Sequence, residues 1–255
     1  MPLPRHLPLL LIGFAIGNLS TATESTHPRF SFGSGPNLVG THVGAETLFT
    51  TARGYGFESG GALITRSDGV ESTRPFYFSA TVPMEGNYLV TVTFPPRTDA
   101  TIKAELRRLV IENVRVPIGG PAATRTFLVN TRSPKIAAIG DIQSGAVRLK
   151  APRETTQEAW AWDNVITLEF NGSHPAISAI AITPAPRSTP TIFLLGDSTV
   201  CDQSKEPFSS WGQMFPRWFK PEVVIANHAE SGETYRDSIG RRRLDKILSV
   251  MKPGD

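Results

Sequence analysis

The sequence predicts a multidomain protein of β and α/β class, a β-sandwich followed by the first strands and helices of an open parallel α/β sheet. Three observations carry this. Residues 30–182 hold short β-branched or aromatic runs separated by Gly, Pro, Asn and Asp clusters. Residues 183–190 (TPAPRSTP) then place three prolines in eight residues. Beyond them, residues 191–195 (TIFLL) and 222–227 (EVVIAN) are near-continuous apolar runs, the pattern of strands buried on both faces.

The elements follow in order. Residues 5–6 are basic, residues 7–17 (LPLLLIGFAIG) are apolar, and residues 20–22 are small or polar, which reads as a secretory signal peptide over residues 1–22. That run is too short to span a bilayer, which takes about 20 apolar residues, so the mature chain reads as secreted or periplasmic. Residues 76–78, 88–94, 125–129, 147–149, 165–170 and 179–182 read as strands, with turns at residues 85–87 and 171–173. Residues 104–110 (AELRRLV) fit a helix or a strand. The sandwich is assigned to residues 23–182, and residues 183–190 to a stiff, extended Pro-rich linker. Residues 191–255 follow as strand, helix (about residues 210–219), strand, helix. Leu244, Ile247, Leu248 and Met251 mark one apolar face of the last helix. Two strands and two helices are too few to cover both faces of a parallel sheet, so residues 191–255 read as a domain cut short at its C-terminus.

Composition narrows the function classes. Of 255 residues, 40% are apolar and 19% charged, which excludes a disordered chain. The net charge of +3 arises from 26 basic and 23 acidic residues, mixed along the chain, so a protein built around nucleic-acid phosphates is excluded. A single cysteine, Cys201, permits neither an internal disulfide nor a cysteine-rich zinc site. It reads as a small buried filler.

Ligands of open α/β sheets bind beyond the carboxyl ends of the strands. The first strand ends at Gly196-Asp197-Ser198-Thr199, where a serine faces the crevice. The second ends at His228-Ala229-Glu230-Ser231-Gly232, which sets Gly232 beside Ser198 if the strands are neighbours. A glycine there lets a backbone N–H approach a reacting oxygen. Strand, Gly-Asp-Ser, helix, strand and glycine loop together point to a hydrolase, although Gly-Asp-Ser alone is also a common turn.

The stretch TIFLLGDSTVCDQ…EPFSSWGQMFPRWFKPEVVIANHAESGETYRDS…RLDKILSVMKPGD resembles the rhamnogalacturonan acetylesterases, a branch of the SGNH (GDSL-like) hydrolases. The sequences RGYGF (residues 53–57), Arg107-Arg108-Leu109 and LEFNGSHPA (residues 168–176) look like the galactose-binding-like accessory domain that precedes such esterases. The resemblance implies that residues 191–255 are the βαβα beginning of a flavodoxin-like, three-layer α/β/α SGNH domain. It implies Ser198 as nucleophile, Gly232 as backbone oxyanion donor and Asp197 as support for the loop. The family's oxyanion asparagine and its Asp-x-x-His block have no counterpart here, so this chain is expected to be inactive and poorly folded past the linker. The implied substrate is acetylated pectic polysaccharide, rhamnogalacturonan, deacetylated through an acyl-serine with no cofactor or metal and no nucleic-acid or membrane partner.

The other candidates carry less. His228 could act as base if it reached Ser198, but it stands where the family has a loop residue. Arg236 could attract an acidic substrate, whereas Arg241-Arg242-Arg243 reads as a solvated helix face. Trp160 and Trp162 with Asp163 form a sugar-stacking platform or, more blandly, one core and one junction tryptophan. His42 and His174 read as surface residues. Asn171-Gly172-Ser173 is a glycosylation acceptor in a host that glycosylates exported proteins. Two other functions remain open: a non-catalytic carbohydrate-binding protein, and a GDSL lipase or esterase for other esters.

Overall fold

The computed structural model describes residues 27–36, 39–58 and 62–255. The signal-peptide reading of residues 1–22 lies outside these residues. Strands dominate, in several sheets. One five-stranded sheet has the order β10 (Ala123–Thr131), β7 (Gly86–Phe94), β15 (Ala179–Pro184), β1 (Arg29–Phe32) and β2 (Thr41–Val43). The second has the order β3 (Tyr55–Phe57), β6 (Phe76–Thr81), β13 (Val165–His174), β8 (Asp99–Ala104) and β9 (Arg108–Arg115). Neighbours are antiparallel except β1 and β2, which run parallel. Short strands β4 (Ile64–Thr65), β5 (Val70–Glu71) and β14 (Ala176–Ile177) form a flap, and β11 (Lys135–Ile136) pairs with β12 (Gly145–Ala146).

Alternation explains the sandwich. In β7, Tyr88, Val90, Val92 and Phe94 are buried while the residues between them are half-buried, so one face points into the core. Phe30 and Phe32 from the first sheet meet Phe57, Phe76 and Phe78 from the second in one core cluster. The Phe78 ring lies 5.0–5.5 Å from those of Phe30, Phe32 and Phe57, with all three contacts edge-on.

Several expectations need correction. Residues 171–173 are not a turn but a bulge inside β13, where the register against β8 shifts. A Cβ on Gly172 would lie 2.2 Å from the Asp99 carbonyl oxygen, so only glycine permits that approach. Residues 104–110 are neither one helix nor one strand: β8 ends at Ala104 and β9 begins at Arg108. The left-handed residues Glu105 and Arg107 make the turn between them. Residues 147–149 lie outside any strand.

The stiff extended linker is absent. Thr183 and Pro184 finish β15, and a turn closed by Thr189 N–H to Pro186 C=O leads directly into β16 (Thr191–Leu194). Nor is the segment beyond it loosely attached. β16 pairs in parallel with β17 (Val224–Asn227), and this small sheet lies against the sandwich. Helices α1 (Trp211–Met214), α2 (Tyr235–Gly240) and α3 (Arg243–Val250) accompany it, with a 3-10 turn at Phe215–Trp218. Residues 191–255 do not themselves form a three-layer α/β/α domain. β17 is buried throughout, but Ile192 and Phe193 of β16 are only partly buried, contrary to a strand covered on both faces. Leu194 C=O accepts from His228 N–H and Pro190 C=O from Val224 N–H. By parallel-strand alternation, Thr191 and Phe193 therefore direct their backbone groups to the opposite edge, which pairs with no strand among the described residues.

Charge joins this segment to the sandwich. Arg108 Nε bonds Asp202 Oδ2 at 2.7 Å, with both side chains buried. Asn227 Nδ2 donates to Asp202 Oδ1 at 2.9 Å, and Gln213 Nε2 donates to Leu106 C=O at 2.8 Å. The expected apolar face of α3 is wrong in two of its four positions: Ile247 is buried, but Leu248 and Met251 are 43% and 41% exposed. Arg243 and Lys246 turn inward instead. Arg243 pairs with Glu154 and Glu233, and Lys246 Nζ with Glu85 at 2.7 Å. The arginine run is therefore no solvated face. Arg241 also reaches Glu233, at 3.1 Å, and Arg242 reaches the Ser144 carbonyl.

Candidate active site

Ser198 and Gly232 occupy equivalent places at the carboxyl ends of two paired parallel strands. Glu230 N–H donates to Gly196 C=O at 3.0 Å, extending the β16–β17 ladder to two residues before each of them. Ser198 is exposed. Asp197 Oδ1 accepts both the Thr199 N–H and the Thr199 hydroxyl at 2.9 Å, closing an Asx turn around the serine. Those bonds hold the Asp197 carboxyl below its usual range. Gln203 Nε2 braces the far side by donating to Ser198 C=O at 3.0 Å.

Gly232 has φ +67°, a left-handed conformation, and a Cβ there would stand 4.0 Å from Lys150 Nζ. Neither its N–H nor that of Ser198 has a protein acceptor among the described residues. Chemically, this is an exposed hydroxyl and two backbone N–H groups at the same end of a strand pair, and a serine hydroxyl needs a base to become a nucleophile.

The sandwich builds part of this site. Lys150 Nζ donates to Ser231 C=O at 2.6 Å, and Arg153 Nε lies 3.2 Å from Glu230 Oε1. Burial, aided by the charges of Glu154 and Glu158, pushes the Glu230 carboxyl up to about 7. Sequence reasoning missed Lys150 and Arg153. They lie about 80 residues from the loop they hold, and no local spacing links them to it.

The other candidates separate. His228 is buried on the face of the small sheet, 6.1 Å from the Trp162 ring and 5.8 Å from Phe193. Burial, reinforced by Arg132 and other cations, holds its imidazole well below the usual range, so it stays neutral. No described side chain hydrogen-bonds the Ser198 hydroxyl. Arg236 is exposed on α2. Cys201 is buried, and burial pushes its thiol up to about 12. Trp162 is 7% exposed, its Nε1 donating to Glu154, with Arg132 stacked 4.5 Å over the ring. It is a core residue and cannot receive a sugar. Trp160 is 38% exposed. His42 is exposed, whereas His174 is no plain surface group, its Nε2 lying 3.1 Å from Glu71. Among the described residues no cluster of three or more His, Cys, Asp or Glu could hold a metal, and no helix is long and apolar enough to cross a membrane.

No protein-family model matches the chain, and no curated protein matches it. Among solved structures it is similar to protein YxiM from Bacillus subtilis, at 24% identity and a TM-score of 0.42 over 89% of this chain and 61% of that one. It is also similar to the plant receptor-like kinase FER, at 10% identity and a TM-score of 0.36 over 63% and 42% of the two chains. A third similarity is to BtGH115A, a 4-O-methyl-α-glucuronidase with specificity for decorated arabinogalactans, at 8% identity and a TM-score of 0.32 over 50% and 16%. The chain spans less than two thirds of the length of each.

Proposed function

We propose that the chain is the nucleophile-bearing part of an exported serine O-acetylesterase acting on pectic polysaccharide of the rhamnogalacturonan type. In this reading the sandwich is a galactose-binding-like accessory domain, and residues 191–255 are the start of an SGNH hydrolase domain. One observation carries it: Ser198, held in its Asx turn, shares the carboxyl edge of a parallel strand pair with Gly232, whose backbone N–H is available. Ser198 Oγ would bond to the acetyl carbon, the two backbone N–H groups would hold the oxyanion, and the sugar oxygen would leave with a proton. Water would then release acetate from the acyl-serine. Serine acyl transfer supplies its own nucleophile, so no cofactor is called on.

No described residue offers Ser198 a base, so the test supplies one. The full chain is mixed with 4-nitrophenyl acetate and increasing imidazole, and release of 4-nitrophenol is followed with mass analysis of the Ser198 peptide. The expected result is imidazole-dependent acetylation of Ser198, with release above that given by imidazole and Ser198→Ala together. Equal rates for the folded wild type and the folded Ser198→Ala variant would sink the esterase reading.

A further inference from the structure

We propose that the cavity between the 3-10 turn Ala159–Ala161 and the turn joining β8 to β9 is a subsite for one neutral pyranose ring of a polysaccharide. The cavity measures about 280 Å³ and is lined by Tyr77, Arg107, Thr156, Gln157, Trp160 and Ser204, among others. That volume lies just below the usual range for small-molecule pockets, about 300–1,000 Å³, and suits one ring rather than a chain.

The two tryptophans divide the labour. Trp162 fills the core, so Trp160 is not needed there, and its indole stays at the cavity, tilted at 57° against Tyr77 with the ring centres 5.9 Å apart. Burial, reinforced by the charge of Glu169, pushes the Tyr77 phenol up to about 12, so its ring is uncharged. Around the rings stand the hydroxyls of Thr156 and Ser204 and the amide of Gln157. An aromatic face bordered by hydroxyl and amide groups complements a sugar ring, which presents C–H on its faces and O–H on its rim.

The charge of the walls selects neutral sugar over uronate. Arg107 is already committed: its guanidinium bonds Glu206 at 2.9 Å and the Gln203 and Phe208 carbonyls at 3.1 and 3.3 Å. Glu105, also in the wall, is pushed by burial up to about 8 and is mostly uncharged at neutral pH. Among the residues lining the cavity, no free cation is left to meet a carboxylate.

Position ties the cavity to Ser198. Ser204, in the cavity wall, donates to Glu158 at 3.3 Å, and its neighbour Gln203 braces the Ser198 carbonyl. One short loop thus borders both places. The assignment rests on the reading of the chain as carbohydrate-active.

The test titrates the full chain with β-1,4-galactotriose, cellotriose and trigalacturonate, following heat and tryptophan fluorescence. At least one neutral trimer is expected to bind, with trigalacturonate weaker. Trp160→Ala should weaken binding by about tenfold, the upper range for an aromatic contact, and Trp160→Phe should recover most of it. Trp160 is partly exposed, so thermal unfolding checks that both variants fold. Absence of binding by both neutral trimers, tighter binding of trigalacturonate, or wild-type affinity in folded Trp160→Ala would each overturn the subsite. The two proposals fail separately. Ser198 acetylation without trimer binding removes the subsite alone, and trimer binding without Ser198 acetylation removes the esterase and leaves the subsite.

Discussion

The sandwich and the C-terminal segment are stabilised by opposite means. The sandwich buries interleaved aromatic and β-branched side chains, with Phe32, Phe76, Phe78 and Phe170 almost wholly enclosed. The segment has only a small apolar cluster of its own around Leu194, Val200, Cys201, Ile225 and Ala229. It is held to the sandwich by ion pairs that cross between them: the buried Arg108 with Asp202 and Arg243 with Glu154, and Lys246 with the half-buried Glu85. Apolar packing is forgiving of geometry, whereas a buried charge is costly unless its partner is in place. The attachment of the segment is therefore specific to this sandwich surface.

The largest expected effect is on the sandwich. Phe78→Ala removes a ring touching three others, and such truncations cost about 3–5 kcal/mol. Global unfolding in urea should shift for the whole chain. If only the segment loosened, the two regions would not differ as described. Next is Arg243→Ala, which leaves Glu154 buried without its cation and Glu233 with Arg241 and Lys150 alone, at a cost near the lower end of about 3–5 kcal/mol. Hydrogen exchange should rise in residues 191–255 and in the loop around Glu154 while β6, β7 and β13 stay protected. Uniform exchange across both regions would mean that the junction is not a separate unit.

A further effect is set by pH. Burial raises the Glu105 carboxyl from its ordinary 4.5 to about 8, so between these values the folded chain binds more protons than the unfolded one. Stability should then fall as pH rises through that window, at a limiting slope of about 1.4 kcal/mol for each pH unit. Glu105→Gln keeps an acceptor for Thr167 N–H and removes the titration. Its melting temperature should match wild type near the bottom of the window and exceed it by roughly 10 °C or more near the top. Equal melting temperatures at both ends would mean that Glu105 ionises freely in the fold.

The same contrast decides what could be read from the sequence. Strands β6, β7, β10, β13 and β15 were legible because β-branched and aromatic residues stand in consecutive runs there. Strands β1, β3 and β8 were not: β3 is three residues containing a glycine, and β8 (DATIKA) buries only Ala100, Ile102 and Ala104. The carboxyl ends holding Ser198 and Gly232 were legible from apolar runs followed by glycine. The junction was not. Arg243 and Lys246 look like solvent residues on a helix, and their partners Glu85, Glu154 and Glu233 lie in distant or irregular segments. An ion pair has no period, so nothing local announces that an arginine will be buried. Trp160 and Trp162 illustrate the limit: two residues apart, at a 3-10 turn and its end, they face different surroundings that only the packing distinguishes.

The outer side of β16 has a further consequence. Thr191 and Phe193 turn backbone groups toward an edge without a strand, although Asp255 Oδ1 accepts the Thr191 N–H at 2.9 Å. Thr191 is buried and its N–H taken, so what the edge still offers an extended polypeptide is the Phe193 backbone. Partly buried Phe193 adds an apolar foothold.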